Sequence, residues 1–329
     1  MKTNKYLMLA IILLLPSLAS CQSKSKMKFS VKVVDDENTP ISGCNAKSIV
    51  FKQHVAGEGF GRNKYDITLI MTNEEGIAHF AVDAVSSRVA YGVETPEGYY
   101  KTYEGEHYFK NSKLGVWQPE NENFKIVLKR IKKPIPMYAK SVGMDHKVKI
   151  PELEKPMGFD LIKSDWVKPH GKGEVADLNF HLSLQDRGRR DYDATLTVTF
   201  TNEGDGFIGI KAPFENGKGS QLVMPYEAPE NGYQKKLVKS THAKLGTPTI
   251  MGYDKTQHYF LRVRTALDEK GNIVSALYGK IQGDINFWNN KVLRFTYYLN
   301  PTPNDRNIEF DPKKNLIDTG RRGHKVQNP

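Results

Sequence analysis

Residues 178–200 read LNFHLSLQDRGRRDYDATLTVTF, and this stretch decides the fold class of the chain. Its apolar side chains recur at every second position on both sides of a polar tip, DRGRRD. These apolar positions are Leu178, Phe180, Leu182 and Leu184 before the tip and Ala194, Leu196, Val198 and Phe200 after it. A period of two is typical of a strand with one buried face. The stretch therefore predicts an antiparallel β-hairpin whose threonine-rich opposite face meets solvent.

The C-terminal half of the chain repeats this pattern. Residues 259–263 alternate before the turn-forming residues DEKGN at 268–272, and residues 293–299 alternate before Pro301. Short strands separated by turn residues are typical of sheets that pack face to face. We therefore predict a larger antiparallel β-sandwich over residues 171–320.

Prolines mark the segment that precedes this unit. Pro134 and Pro136 are expected to interrupt strand pairing, because proline has no backbone N–H and restricts the residue before it. We therefore predict a proline-containing connection over residues 133–170. The last nine residues, 321–329, carry several charges and are predicted to form a frayed basic tail.

Alternating strands also fill residues 27–132, while no stretch there has the apolar stripe of a helix. The apolar faces of the predicted strands are Phe29, Val31 and Val33; Ile67, Leu69 and Met71; Ala78, Phe80 and Val82; Val89, Tyr91 and Val93; and Phe124, Ile126 and Leu128. Residues 73–76, NEEG, have the composition of a turn. This region predicts a small antiparallel sandwich, so the whole chain is expected to be all-β.

The strand and turn residues of this first unit also resemble those of a known family. The segments VKVVD at 31–35, TPISG at 39–43, TNEEGIAHF at 72–80 and EGYY at 97–100 are similar to the carboxypeptidase regulatory-like domain. The resemblance implies a transthyretin-like, Ig-like sandwich that serves as an accessory or stalk module and contributes no catalytic residues.

The N-terminus has the composition of an export leader. Lys2 and Lys5 precede an apolar run of about ten residues at 6–15, which is too short to cross a bilayer as a helix. The segment that follows, Leu18-Ala19-Ser20-Cys21, resembles the lipobox of bacterial lipoprotein signal peptides. This resemblance implies a lipoprotein signal peptide with its lipobox over residues 1–21, cleavage before Cys21, lipid attachment at Cys21, a tether over 22–26, and a bacterial cell-envelope location. We expect the outer membrane, with the protein facing the periplasm or the surface.

Charge and cysteine content restrict the function classes further. The formal net charge is +11 at pH 7, which suits contact with anionic lipid or glycan as well as a soluble surface. Export and the absence of a recognition motif argue against nucleic acid as a partner. With Cys21 assigned to the lipid, Cys44 has no partner for a disulfide, and we predict a small apolar role for it.

The most varied chemistry lies at residues 165–177. Asp165, Trp166, His170 and Asp177 combine carboxylates, an indole and an imidazole, and an aromatic platform with a polar rim is typical of glycan sites. These four residues are our candidate ligand-binding site. The alternative is that Trp166 packs at the interface between the two units and the charges are simply solvated.

Two other clusters have both a binding and a structural interpretation. Tyr99, Tyr100, Tyr103 and Tyr108, with Trp117, either stack on sugar rings or form cross-strand packing, and we favour packing. Arg187, Arg189 and Arg190 at the hairpin tip either meet phosphate or polyanionic glycan or keep the loop soluble. Histidines are scattered without zinc-site spacing, so we predict no metal, no cofactor and no catalytic residue.

These observations predict a lipid-anchored, non-catalytic cell-envelope protein that binds a glycan, an envelope component or a partner protein. One alternative is a glycan-active hydrolase that uses two of the four carboxylates Asp160, Asp165, Glu174 and Asp177, since glycosidases need two carboxylates about 5–9 Å apart. A second alternative is a structural subunit of an envelope assembly.

Overall fold

The computed structural model describes residues 24–55, 62–143, 148–212, 219–318 and 326–329. Within these ranges the chain forms twenty-two β-strands and no α-helix, which confirms the all-β prediction. No helix of the described part has the length and apolar character needed to span a bilayer. The export leader, Cys21 and the start of the predicted tail lie outside the described residues.

The first module is a sandwich of two sheets. Its strands are β1 (Ser25–Asp35), β2 (Asn45–Val55), β3 (Arg62–Met71), β4 (Ile77–Ala84), β5 (Arg88–Val93), β6 (Gly105–Tyr108), β7 (Asn111–Lys113), β8 (Val116–Gln118) and β9 (Glu122–Leu128). One sheet has the order β4-β1-β8-β7, with β9 also paired to β1, and the other has the order β3-β2-β5-β6. Pairing is mostly antiparallel, but β1 runs parallel to β8 and β9.

The core of the first module follows the predicted alternation. Phe29 is buried and its ring stacks on that of Phe80, with the ring centroids 4.9 Å apart. Tyr91 and Phe124 stack in the same way at 4.1 Å. Cys44 is a free thiol buried in this core, as expected for a small apolar residue, and burial raises its pKa.

One predicted face points the other way. Ile67, Leu69 and Met71 of β3 were expected in the core, but Ile67 is 63 % exposed and the other two are also exposed. Ile70, on the opposite face of β3, is the residue that packs against the core. Alternation identifies a strand but does not say which face is buried, and β3 lies at the edge of its sheet.

The second module is larger and contains thirteen strands in the described residues. They are β10 (Ile135–Val142), β11 (Pro156–Asp160), β12 (Asp165–Trp166), β13 (Leu178–Asp186), β14 (Tyr192–Thr199), β15 (Gly206–Lys211), β16 (Lys236–Ala243), β17 (Ile250–Met251), β18 (Gln257–Leu267), β19 (Ile273–Ile281), β20 (Asn286–Phe287), β21 (Leu293–Leu299) and β22 (Phe310–Asn315). The central sheet has the order β15-β18-β19-β21-β10-β22, with β20 on β21. The outer sheet has the order β12-β11-β13-β14-β16-β17.

The hairpin predicted from residues 178–200 is present as β13 and β14. Asn179 pairs with Thr199 and Asp186 with Tyr192, so the tip lies where the polar residues predicted it. The apolar residues of this hairpin face the central sheet and form one continuous core with it. The central sheet is buried on its other face as well, where Tyr298 belongs to a separate apolar cluster.

Residues 133–170 differ from the predicted connection. They contain β10, β11 and β12, which belong to the two sheets of the second module. The prolines are accommodated at special positions: Pro156 is the first residue of β11, and Pro136 lies where the pairing of β10 with β22 shifts register. The predicted tail also differs where it is described, because Val326 is buried in the cluster on the second face of the central sheet.

Candidate functional site

A buried ion cluster fixes the loop that carries the residues predicted as a ligand site. Arg264 Nε lies 2.7 Å from Asp177 Oδ1, and Arg264 Nη2 lies 3.0 Å from both Asp177 Oδ2 and Asp160 Oδ1. The backbone N–H of Leu161 donates to Asp177 and that of Glu174 donates to Asp160. Burial raises the pKa of Asp177, although Arg264 opposes this. At Asp160 burial also acts upward, but backbone donors and Arg264 outweigh it and lower the pKa.

Arg264 reaches these carboxylates because β18 contains a β-bulge. The pairing of β18 with β19 shifts register between Val263 and Ala266, and Arg264 has a φ of 55°. The buried carboxylate of Asp205 accepts the backbone N–H of Arg264 at 3.2 Å and that of Thr265 at 2.8 Å. A bulge re-aims the side chain it carries, and here it turns the guanidinium toward the two aspartates.

Trp166 lies inside the second module. Its side chain is only 6 % exposed, and its ring meets Phe159 edge-on at 5.2 Å and Phe180 at 5.9 Å. The indole therefore does not form an open platform for a sugar ring, and it does not pack at the interface between the modules either. Both sequence-based alternatives for this residue differ from the structure.

Asp165 and His170 remain near the surface, Asp165 at the start of β12 and His170 in the turn that follows it. The Asp165 carboxylate accepts the backbone N–H of Trp166 at 2.8 Å and that of Lys172 at 2.9 Å. His170 is partly exposed, and its Nε2 lies 3.3 Å from a carboxylate oxygen of Glu152. The four predicted ligand-binding residues thus lie in one short segment from β12 to the start of β13, but Trp166 and Asp177 are buried and only the other two face solvent.

The three arginines at the hairpin tip lie at the surface of the second module. Arg187 at the hairpin tip is paired with Asp191 and Asp193, with N···O distances of 2.7 Å, while Arg189 and Arg190 are exposed. In the part of the chain that the structure describes, no group of three or more His, Cys, Asp or Glu side chains is arranged to hold a metal ion.

One tyrosine of the predicted cluster, Tyr100, lies at the junction between the modules. Tyr100 is buried, and its hydroxyl donates to Oε1 of Glu309 at 2.6 Å. The same carboxylate accepts the backbone N–H groups of Lys132 at 2.8 Å and Lys133 at 2.6 Å. Burial raises the pKa of Tyr100, and its hydrogen bond to Glu309 adds to this. The buried Glu309 carboxylate of the second module therefore binds both Tyr100 of the first module and the backbone at Lys132 and Lys133, where the two modules join.

A short stretch of the second module also pairs with the first. Thr102 forms a β-bridge with Ser220, the N–H of Tyr103 donates to the carbonyl of Gly219 at 2.8 Å, and the N–H of Gln221 donates to that of Lys101 at 2.9 Å. This stretch crosses the side of the first sandwich that contains β6 and β9, which are edge strands of their sheets. The contact leaves a groove between the two modules.

This junction groove combines aromatic and charged groups. Its volume is about 590 Å³, within the usual range for a small-molecule site, and domain interfaces are common places for such sites. The residues that line the junction groove include Tyr91, Tyr103, Glu104, Glu106, Lys125, Lys129, Leu222 and Val223.

The charges in the junction groove are balanced and held in place. Lys129 Nζ donates to the carbonyl oxygens of Met224 at 3.0 Å and Val223 at 3.3 Å, and burial lowers its pKa. Lys125 Nζ donates to Asn38 Oδ1 at 2.7 Å. Glu104 is ion-paired with Lys47, and Glu106 with Arg88. A groove with two carboxylates and two ammonium groups, each already engaged, does not favour a ligand of either net charge.

Sequence reasoning singled out only part of this site. Tyr103 was in the predicted tyrosine cluster, but Glu309 and Lys129 carried no local signal, because their partners lie far away in the sequence. Arg264 was missed for the same reason, since its two carboxylates are 87 and 104 residues distant.

The fold and the groove define a two-module all-β protein with a cleft at the module junction. No family model matches the chain, and no curated protein matches it. The resemblance to the carboxypeptidase regulatory-like domain and to lipoprotein leaders therefore stays a prediction.

The solved structures to which the chain is similar include three bacterial pilins. A mutant of the shaft pilin SpaA from Lactobacillus rhamnosus GG is 9 % identical, with 56 % of this chain and 90 % of that chain covered and a TM-score of 0.23. A streptococcal ancillary pilin is 12 % identical, with 79 % and 60 % covered and a TM-score of 0.21. The Bacillus cereus major pilin BcpA is 11 % identical, with 84 % and 96 % covered and a TM-score of 0.21. At such TM-scores these likenesses carry no argument about function.

Proposed function

We propose that this chain is a non-catalytic binding protein of a bacterial cell envelope, anchored by a lipid on Cys21. In this proposal the junction groove binds a neutral, polyhydroxylated ligand such as a segment of an envelope glycan. The outer membrane is the proposed location, with the two modules facing the periplasm or the surface. The observation that carries the proposal is the groove itself, which combines tyrosines with two ion-paired carboxylates and two lysines that donate to neutral oxygens.

The chemistry of the groove favours a glycan over other small ligands. Tyrosine rings offer flat apolar area together with a hydroxyl, which suits the alternating C–H and O–H faces of sugars. The two carboxylates and two ammonium groups that line the groove balance in charge and supply acceptors and donors for hydroxyl groups. Because the groove lies between modules joined through Glu309, its walls are held before a ligand arrives.

The hydrolase alternative has less support. Two of its four carboxylates, Asp160 and Asp177, are buried and bound to Arg264, and Asp165 accepts two backbone N–H groups. A general acid and base need access to substrate. The function proposed here therefore involves no reaction.

The structural-subunit alternative is favoured by a different observation. β3 is an edge strand whose outer face is an exposed apolar row, comprising Tyr65, Ile67, Leu69 and Met71. Exposed apolar surface on an edge strand is a common protein-contact site. A partner that co-purifies with the full chain and is released by Ile67→Lys, with no bound sugar, would favour this second candidate.

Ligand binding is tested by calorimetric titration of the mature chain with a panel of neutral hexasaccharides. Loss of one stacking side chain removes about 1–1.5 kcal/mol, so Tyr103→Ala is expected to weaken binding about tenfold. Tyr108→Ala is the matched control, because Tyr108 is an exposed tyrosine that does not line the groove. Equal affinities of both variants and the parent would refute the groove as the binding site.

The anchor is tested separately in cells. Labelled palmitate is expected to enter the protein, and Cys21→Ala is expected to abolish the labelling and release the chain from membranes. A Cys21→Ala chain that still fractionates with membranes would contradict the anchor without affecting the groove.

A further inference from the structure

The tip of the hairpin formed by β7 and β8 is chemically unusual. Leu114 has a φ of 48° and Gly115 a φ of 78°, a pair of left-handed residues that forms a tight hairpin turn. Such turns strongly prefer Asn-Gly or Gly-Gly, and a leucine there costs about 1 kcal/mol. The Leu114 side chain is also fully exposed, at 105 %. A large apolar residue in a strained and exposed position has no role in folding the hairpin.

This tip lies beside the N-terminal end of β1. The N–H of Lys26 donates to the carbonyl of Gly115 at 2.8 Å, and Lys26 pairs with Val116. Because β1 begins at Ser25, part of the predicted tether belongs to the strand. Only residues 22–24 separate Cys21 from β1, and this length of chain spans at most about 14 Å.

The surroundings of the tip are basic. Lys113, the last residue of β7, lies next to Leu114, while Lys24 lies just before the adjacent strand β1 and Lys26 is its second residue; all three are exposed. The only acidic group in the described residues that pairs with one of them is Asp83, 3.2 Å from Lys26. A lysine close to an anionic bilayer contributes about 1 kcal/mol of attraction.

We infer that the 113–115 tip is a second membrane contact, in which Leu114 enters the interface of an anionic bilayer beside the lipid on Cys21. The inference rests on the proposed lipid anchor for its orientation. One acyl signal gives weak, reversible membrane binding, and a second apolar and basic contact strengthens it. The contact also sets the orientation of the first module, with the β7–β8 end toward the membrane and the junction groove away from the anchor.

The experiment attaches the mature chain to vesicles through Cys21, using a maleimide lipid in phosphatidylethanolamine and phosphatidylglycerol. Cys44 is buried, so coupling occurs at Cys21. Leu114→Trp reports contact through quenching by doxyl-labelled lipids. Leu245→Trp is the matched control, because Leu245 is an exposed loop leucine of the second module, 65 % accessible.

Quenching of Leu114→Trp is expected to be at least twice that of Leu245→Trp, and Lys113→Glu in the same background is expected to reduce it. Equal quenching of the two variants, or quenching that is unchanged in vesicles of phosphatidylcholine alone, would overturn the inference. Chemical coupling keeps this result independent of cellular lipidation. Absence of palmitate on Cys21 in cells would contradict the anchor. The quenching result would still test the tip contact independently of it.

Discussion

Replacing Glu309 with alanine is expected to loosen the junction between the modules. The carboxylate is 1 % exposed and accepts three hydrogen bonds, from the Tyr100 hydroxyl and from the N–H groups of Lys132 and Lys133. Each buried donor left without a partner costs about 1–3 kcal/mol. Because the three donors share one site and some regain water, we expect Glu309→Ala to lower the free energy of unfolding by roughly 3–6 kcal/mol.

Two measurements check this expectation. Guanidinium unfolding gives the stability change, and limited trypsin digestion reports opening at the Lys132–Lys133 bond, which should be cut faster in Glu309→Ala. Tyr100→Phe removes one of the three hydrogen bonds and should cost about 1–2 kcal/mol. Glu227→Ala is the matched control, because its carboxylate is exposed and pairs with Arg306 only at 3.6 Å. A Glu309→Ala protein within 0.5 kcal/mol of the parent, with unchanged cleavage, would refute the role assigned to this carboxylate.

Two further predictions concern buried titratable groups on the central sheet. Lys280 Nζ has no hydrogen-bond partner in the described part of the chain and lies 4.7 Å from the ring centroid of Tyr298, and burial lowers its pKa to about 7. In the unfolded chain this lysine stays protonated up to about pH 10.5, so the cost of burying it in the folded protein grows as the pH falls from there to 7. Lys280→Met should therefore stabilise the protein by roughly 2–4 kcal/mol at pH 7 and much less at pH 10, measured by denaturant unfolding. His258 accepts the N–H of Gly283 at 2.9 Å, and burial lowers its pKa to about 4, so its contribution is lost as pH falls from about 6.5 through 4. His258→Asn should remove up to about 3 kcal/mol of this acid sensitivity, and an unchanged loss between pH 7 and 4.5 would contradict it.

Local sequence pattern was sufficient for the strands with strong alternation. The β13–β14 hairpin, the core residues of β1 and the turn before β19 all follow from periodicity and turn chemistry, because each is determined by residues close in sequence. The outward face of β3 did not follow, since alternation does not distinguish a buried face from an exposed one. The strands within residues 133–170 were missed because their prolines lie at strand starts and register shifts, where they are tolerated.

The candidate site was less accessible to sequence reasoning than the fold. Trp166 was chosen for its chemistry, yet its burial depends on Phe159 and Phe180, which only the paired sheets bring together. The junction groove is formed by the first module and by residues 219–223, which lie ninety or more positions after Lys129. Such a site depends on long-range packing, which no local pattern encodes.

The Glu309 contacts have a mechanical consequence. A pull applied between the N-terminal strand and the far sheet of the second module is not taken up by a slack linker. The force acts at the same time on the hydrogen bonds of the Glu309 carboxylate and on the bridge between Thr102 and Ser220. These two contacts are far apart in the sequence and share the load. Tension is therefore passed from one sandwich to the other through these two contacts, and the first rupture under load is expected at this joint.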